Sequence, residues 1–195
     1  MSPFDYAAHR LLLAAAIVVP ALGLAPASAG PTAPGRESAA GAPTAGVHRA
    51  TIRRTSHGIP HIVADDFASL GFGNGYATAE TSPCVLADTL LTARGERSRW
   101  FGADARYSDQ VTLDATNLQT DALFTDLRNR RVVEELLADP VRGPGEEARA
   151  MVRGYAAGFN EYLEDVGGSD GIQDPACAGA EWVQPATGLD LWYGV

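Results

Sequence analysis

The chain has 195 residues, of which 46% are hydrophobic and 20% charged, the composition of a globular protein large enough for one domain with a real core. Its formal charge of −9 argues against nucleic acid as a partner, because phosphate binding needs a basic face. All 15 basic residues are arginine, which we attribute to GC-rich coding and not to mechanism.

Met1 to Ala29 has the form of a secretory signal peptide. His9 and Arg10 give a modest polar start, and Ala27-Ser28-Ala29 fits a small-residue cleavage site. The apolar run Leu11 to Leu24 falls short of the roughly 20 residues that span a bilayer. An N-terminal anchor is the rival reading, opposed by that length and by Pro20. With no twin-arginine pair before the run, the general export route is expected, and no membrane contact after signal removal. Residues 30–48 are rich in Pro, Gly and Ala without apolar periodicity, so they are expected to form a disordered leader. The folded part should begin near Arg49.

Ile52 to Gly102 organises the rest. Thr51 to Arg54 and Ile59 to Val63 are short β-branched runs separated by Ser56-His57-Gly58, which predicts a hairpin. Pro60 places the second run at a sheet edge or a strand start. Asp65 or Asp66 can cap the helix that follows. That helix is expected from Phe67 to about Thr92, with a kink or break at Pro83 and a stop at Gly95. Gly71, Gly73 and Gly75 are poor helix formers, tolerable where something packs closely on their backbone; close helix–sheet packing is the expectation. Trp100 and Phe101 are expected to bury area in core or subdomain packing.

Asp109 to Asp139 should hold one or two helices carrying Leu113, Leu118, Leu123, Phe124, Leu127, Val132, Val133, Leu136 and Leu137. Arg128, Arg130 and Arg131 are expected to form a solvated face, with an anionic contact as the alternative. Pro144 to Val166 is the clearest helix, with Pro144 in the first turn and Glu146-Glu147 complementing the positive helix start. Its apolar residues Ala148, Met151, Val152, Tyr155, Phe159, Tyr162, Leu163 and Val166 fall at three- and four-residue steps. A loop from Ser169 to Glu181 leads to Trp182-Val-Gln-Pro185, and Leu189 to Val195 opens another helix.

Several of these motifs, in this order, resemble the start of penicillin-acylase-type enzymes of the N-terminal-nucleophile hydrolase superfamily. They are Gly58-Ile-Pro-His-Ile62, Gly73-Asn-Gly-Tyr-Ala-Thr-Ala-Glu80, Gly95-Glu-Arg-Ser-Arg-Trp-Phe-Gly102, Gly154-Tyr-Ala-Ala-Gly-Phe-Asn-Glu-Tyr162 and the Trp182-to-Pro185 turn. Cys84-Val-Leu-Ala-Asp88 and Arg94 to Arg99 look most like the aculeacin-type and acyl-homoserine-lactone acylase branch. The resemblance implies an α+β fold in the intact family, an αββα sandwich. Residues 49–195 would supply to it a partial α-chain segment, mostly α-helical with a short N-terminal β-hairpin. It also implies a precursor cut into α and β chains, with the nucleophile, usually Ser, at the start of the β chain. Its own α-amino group would serve as base. The implied partners are that β chain and an N-acylated small-molecule or lipopeptide substrate. A penicillin-type β-lactam acylase segment is the alternative substrate reading. A non-catalytic secreted helical module, or a degenerate fragment, is the alternative of another class.

The residues themselves offer no catalytic set: no Ser-His-Asp arrangement has a nucleophile elbow, and all catalytic groups implied by the resemblance lie in the β chain. No cofactor is expected in this segment; calcium is allowed by the resemblance in the intact enzyme. His57 and His61, four apart on a turn and a strand, are expected to be structural. In an exported chain the two cysteines, Cys84 and Cys177, suggest one disulfide, with two free thiols as the alternative.

Overall fold

The computed structural model describes residues 48–110 and 113–194, together with the backbone of Ser38–Ala39. The expected signal peptide and the remainder of the expected leader lie outside the described residues.

The expected hairpin is present. Strands β1 (Ser38–Ala39), β2 (Thr51–Arg54) and β3 (Pro60–Val63) form an antiparallel sheet in that order. Thr51 stands opposite Val63 and Ile52 opposite Ile62. Gly58 closes the turn at φ 80°, where only glycine sits without steric cost. Pro60 is the first residue of β3, as its missing amide hydrogen requires. β1 was not expected: it pairs with the edge that β2 leaves open. His48 also belongs to the folded part, stacking on Phe72 with ring centroids 5.6 Å apart.

Of the two candidate caps, Asp66 starts α1 (Phe67–Thr81), its Oδ1 accepting from Ser69 N at 2.7 Å. Pro83 breaks the chain rather than kinking it. Ser82 lies between the helices, and α2 (Pro83–Arg94) starts anew with Pro83 in its first turn, where no amide hydrogen is needed. Gly95 ends α2 at φ 71°.

The glycines of α1 pack on two different partners. Gly73 faces Ala50 and Ile62 of the hairpin segment, the helix–sheet contact the sequence suggests. Gly71 and Gly75 face the other way, onto α6 (Glu146–Val166), where a Cβ would overlap the carbonyls of Met151 and Tyr155. Gly154 and Gly158 of α6 return the contact, lying against the carbonyls of Ala68 and Phe72. Four glycines therefore interlock two helix backbones. Each helix gives up some intrinsic helix propensity and gains dense backbone contact.

Between these helices in sequence come α3 (Arg97–Phe101), the hairpin β4 (Arg106–Ser108) and β5 (Asp114–Thr116), α4 (Asn117–Asn129) and α5 (Val132–Ala138). The β4–β5 hairpin was not foreseen, since its three-residue strands carry no apolar alternation. The α4 face that turns inward is polar: Asn117, Thr120 and Asp121 are buried, while Leu118 and Leu123 are exposed. Its partner explains this inversion. Arg97 is buried, donating to Asn117 Oδ1 at 3.0 Å, Asp88 Oδ1 at 2.7 Å and Thr92 Oγ1 at 2.8 Å, with its guanidinium 3.8 Å from the Tyr107 ring centroid. A buried guanidinium needs acceptors: α4 supplies Asn117, and α2 supplies Asp88 and Thr92. The Asp121 carboxylate accepts from Arg97 N at 2.8 Å and Ser98 N at 2.6 Å, capping α3 from a distant helix. Of the two readings of Phe101, core or subdomain packing, the core one does not hold: Phe101 is a surface residue packed edge-on against Trp182 at 5.5 Å.

Helix α6 starts two residues later than expected: Gly145 is its cap, and Pro144 lies outside it. Ala148 is exposed rather than packed. After a 3-10 turn at Ser169–Gly171, the late loop leads to α7 (Gly188–Tyr193). The core gathers where α2, α6 and this loop meet, around Leu90, Phe159, Leu163, Ile172, Val183 and Ala186.

Candidate functional site

Cys84 and Cys177 form the disulfide, with an S–S distance of 2.04 Å and Cα atoms 5.4 Å apart. Pro83 sets the α2 start that presents Cys84, and Cys177 is buried in the late loop. The bond pins a segment that has little regular structure of its own. Asn160 of α6 fixes the same loop further on, accepting from Ala186 N at 2.7 Å and donating to Ala186 O at 2.9 Å.

The loop delivers α7 to a charged clamp. Thr187 and Asp190 make a reciprocal capping box at its start, a pairing visible in the sequence as Thr-x-x-Asp. Asp190 is buried and also receives Arg94 Nη2 at 2.9 Å and Arg128 Nη2 at 2.8 Å. Burial works to raise the Asp190 carboxyl, but the hydrogen bonds from Arg94 and Thr187 outweigh it and hold the group below the usual carboxylate range. Arg128 further donates to Ala93 O at 2.7 Å and lies over the Tyr193 ring. The expectation of a solvated arginine face therefore fails for Arg128, while Arg130 and Arg131 are exposed. Tyr193 completes the clamp, donating to Glu134 Oε2 at 2.6 Å.

Two concavities adjoin this frame. The first is an open cleft of about 490 Å³ walled by α1, α2, α6 and α7. Leu86, Leu90, Met151, Val152, Tyr155 and Leu191 line it, so its surface is almost wholly apolar. Met151, Val152 and Tyr155 belong to the apolar stripe of α6, yet they are only half-buried, because this part of the stripe has no covering element among the described residues. The second, of about 700 Å³, lies between α3 and the Trp182-to-Pro185 turn, with Arg94, Glu96, Arg99, Trp100, Glu181 and Trp182 around it.

Neither lining includes a His, Cys or Ser side chain. His57 is exposed in the hairpin turn beside Ser56, and His61 is exposed on β3 opposite Arg53, so the two imidazoles serve no common site. Among the described residues no group of three His, Cys, Asp or Glu side chains is placed to hold a metal ion. Among the same residues no helix is long and apolar enough to cross a membrane.

The penicillin amidase family model matches residues 49–186. The chain belongs to the penicillin amidase family. Among relatives of this penicillin amidase chain, aculeacin-A acylase of Actinoplanes utahensis is 46% identical over 150 residues, covering 75% of this chain and 18% of the relative. Acyl-homoserine lactone acylase PvdQ of Pseudomonas syringae pv. tomato is 42% identical over 142 residues, covering 73% and 17%. The chain thus spans under a fifth of the length of these relatives. The solved penicillin G acylase of Alcaligenes faecalis shares the fold, with a TM-score of 0.51 at 24% identity over 74% of this chain and 69% of that one. The motifs have structural work to do: two of them, Gly73 to Glu80 and Gly154 to Tyr162, lie on the two helices of one glycine-lined contact.

Proposed function

We propose that this chain is the N-terminal, α-chain part of an exported acylase that hydrolyses the amide bond of an N-acylated substrate. Its acyl group is long and aliphatic, as in a lipopeptide or an acyl-homoserine lactone. The observation that carries this reading is identity of 46% and 42% to an aculeacin-A acylase and an acyl-homoserine lactone acylase, against 27% to a penicillin acylase 2 proenzyme. The reaction is acyl transfer to an N-terminal Ser of a β chain, followed by water, with the α-amino group of that Ser as base. No residue of this chain takes part in the bond changes. Its task is to build the α side of the αββα sandwich and to present the apolar cleft to the β chain. The Cys84–Cys177 disulfide suits an exported protein.

The test is to produce the chain alone and together with the β segment from the same reading frame. Fatty-acyl homoserine lactones, a fatty-acyl lipopeptide and phenylacetyl amides are then assayed for release of the free amine. The assembled pair is expected to turn over fatty-acyl substrates, and the chain alone none of them. Preference for phenylacetyl amides would replace the substrate class with a penicillin-type one. Inactivity of a correctly processed, assembled pair would overturn the proposal.

A further inference from the structure

We draw no further inference here: the strongest candidate outside the proposed β-chain surface, the concavity between α3 and the Trp182-to-Pro185 turn, is lined by two arginines and two glutamates of balanced charge, and nothing in the structure shows what covers or fills it.

Discussion

Asp190 holds two arginines from different helices, and its contribution depends on its charge. Asp190→Asn keeps the shape but leaves Arg94 and Arg128 facing a neutral amide. We expect a loss of about 2–3 kcal/mol in unfolding free energy, below the ~3–5 of a fully enclosed pair because the arginine side chains remain 16% and 25% exposed. The pH dependence has a definite sign. A carboxyl depressed in the folded state stabilises above its unfolded value, about 3.9, and that stabilisation disappears as pH falls through the folded value. The gap between wild type and Asp190→Asn in denaturant unfolding should therefore be widest near neutrality and close below about pH 4. The capping box of Thr187 and Asp190 is legible as a local pattern; the two arginines are not, since they reach it from positions 94 and 128 through the packing of α2 and α4. Arg97 is hidden for the same reason. Nothing local distinguishes it from Arg99, and the arrival of Asn117, Asp88 and Thr92 makes its burial tolerable.

At the scale of elements, the seam between α1 and α6 reverses an ordinary rule. Gly→Ala inside a helix normally stabilises by about 1 kcal/mol. At Gly158 the added methyl would meet the Phe72 carbonyl of the facing backbone, which has no rotamer to yield. Gly158→Ala should instead destabilise by about 1–3 kcal/mol, read as a lowered thermal midpoint. The disulfide makes a second element-scale prediction. Its ends are 93 residues apart, so the chain-entropy model gives about 4–5 kcal/mol for the bond. Cys84→Ser/Cys177→Ser should lose most of that in denaturant titration, and the late loop should gain hydrogen exchange ahead of α1 and α6. The elements with local signals are where the sequence places them: the hairpin around Gly58, the start at Asp66, the break at Pro83 and the stop at Gly95. Those set by tertiary partners are not. The strands β4 and β5 have three residues each, and α4 turns Asn117 and Asp121 inward because Arg97 and the α3 amides need acceptors there. The alternate glycines announced close packing, but a sequence cannot say that two of the three meet another helix.

At the scale of the whole molecule, a packed core and an open apolar cleft lie side by side. Its core lies where the disulfide, Phe159 and Leu163 meet, whereas the cleft leaves Met151, Val152 and Leu191 lining open space. Under the proposed function this apolar concavity is covered by another chain. If the cover is the β chain, the cleft should matter to assembly far more than to the folding of this chain. Val152→Glu tests that separation. The side chain is half-buried on the cleft wall and makes no part of the glycine seam, so a carboxylate there can reach water in the free chain. The unfolding free energy of the free chain should change by no more than about 0.5 kcal/mol. In the assembled pair the same carboxylate would be enclosed against apolar surface without a partner, at a cost of several kcal/mol. Co-purification with the β segment, and amide hydrolysis with it, should therefore be lost while the circular dichroism of the free chain is unchanged. A hydrophobic dye that brightens on the free wild-type chain should lose that signal on assembly with the β segment, and on Val152→Glu it should bind weakly from the start. Retention of full assembly and activity by Val152→Glu would show that the β chain does not cover this cleft.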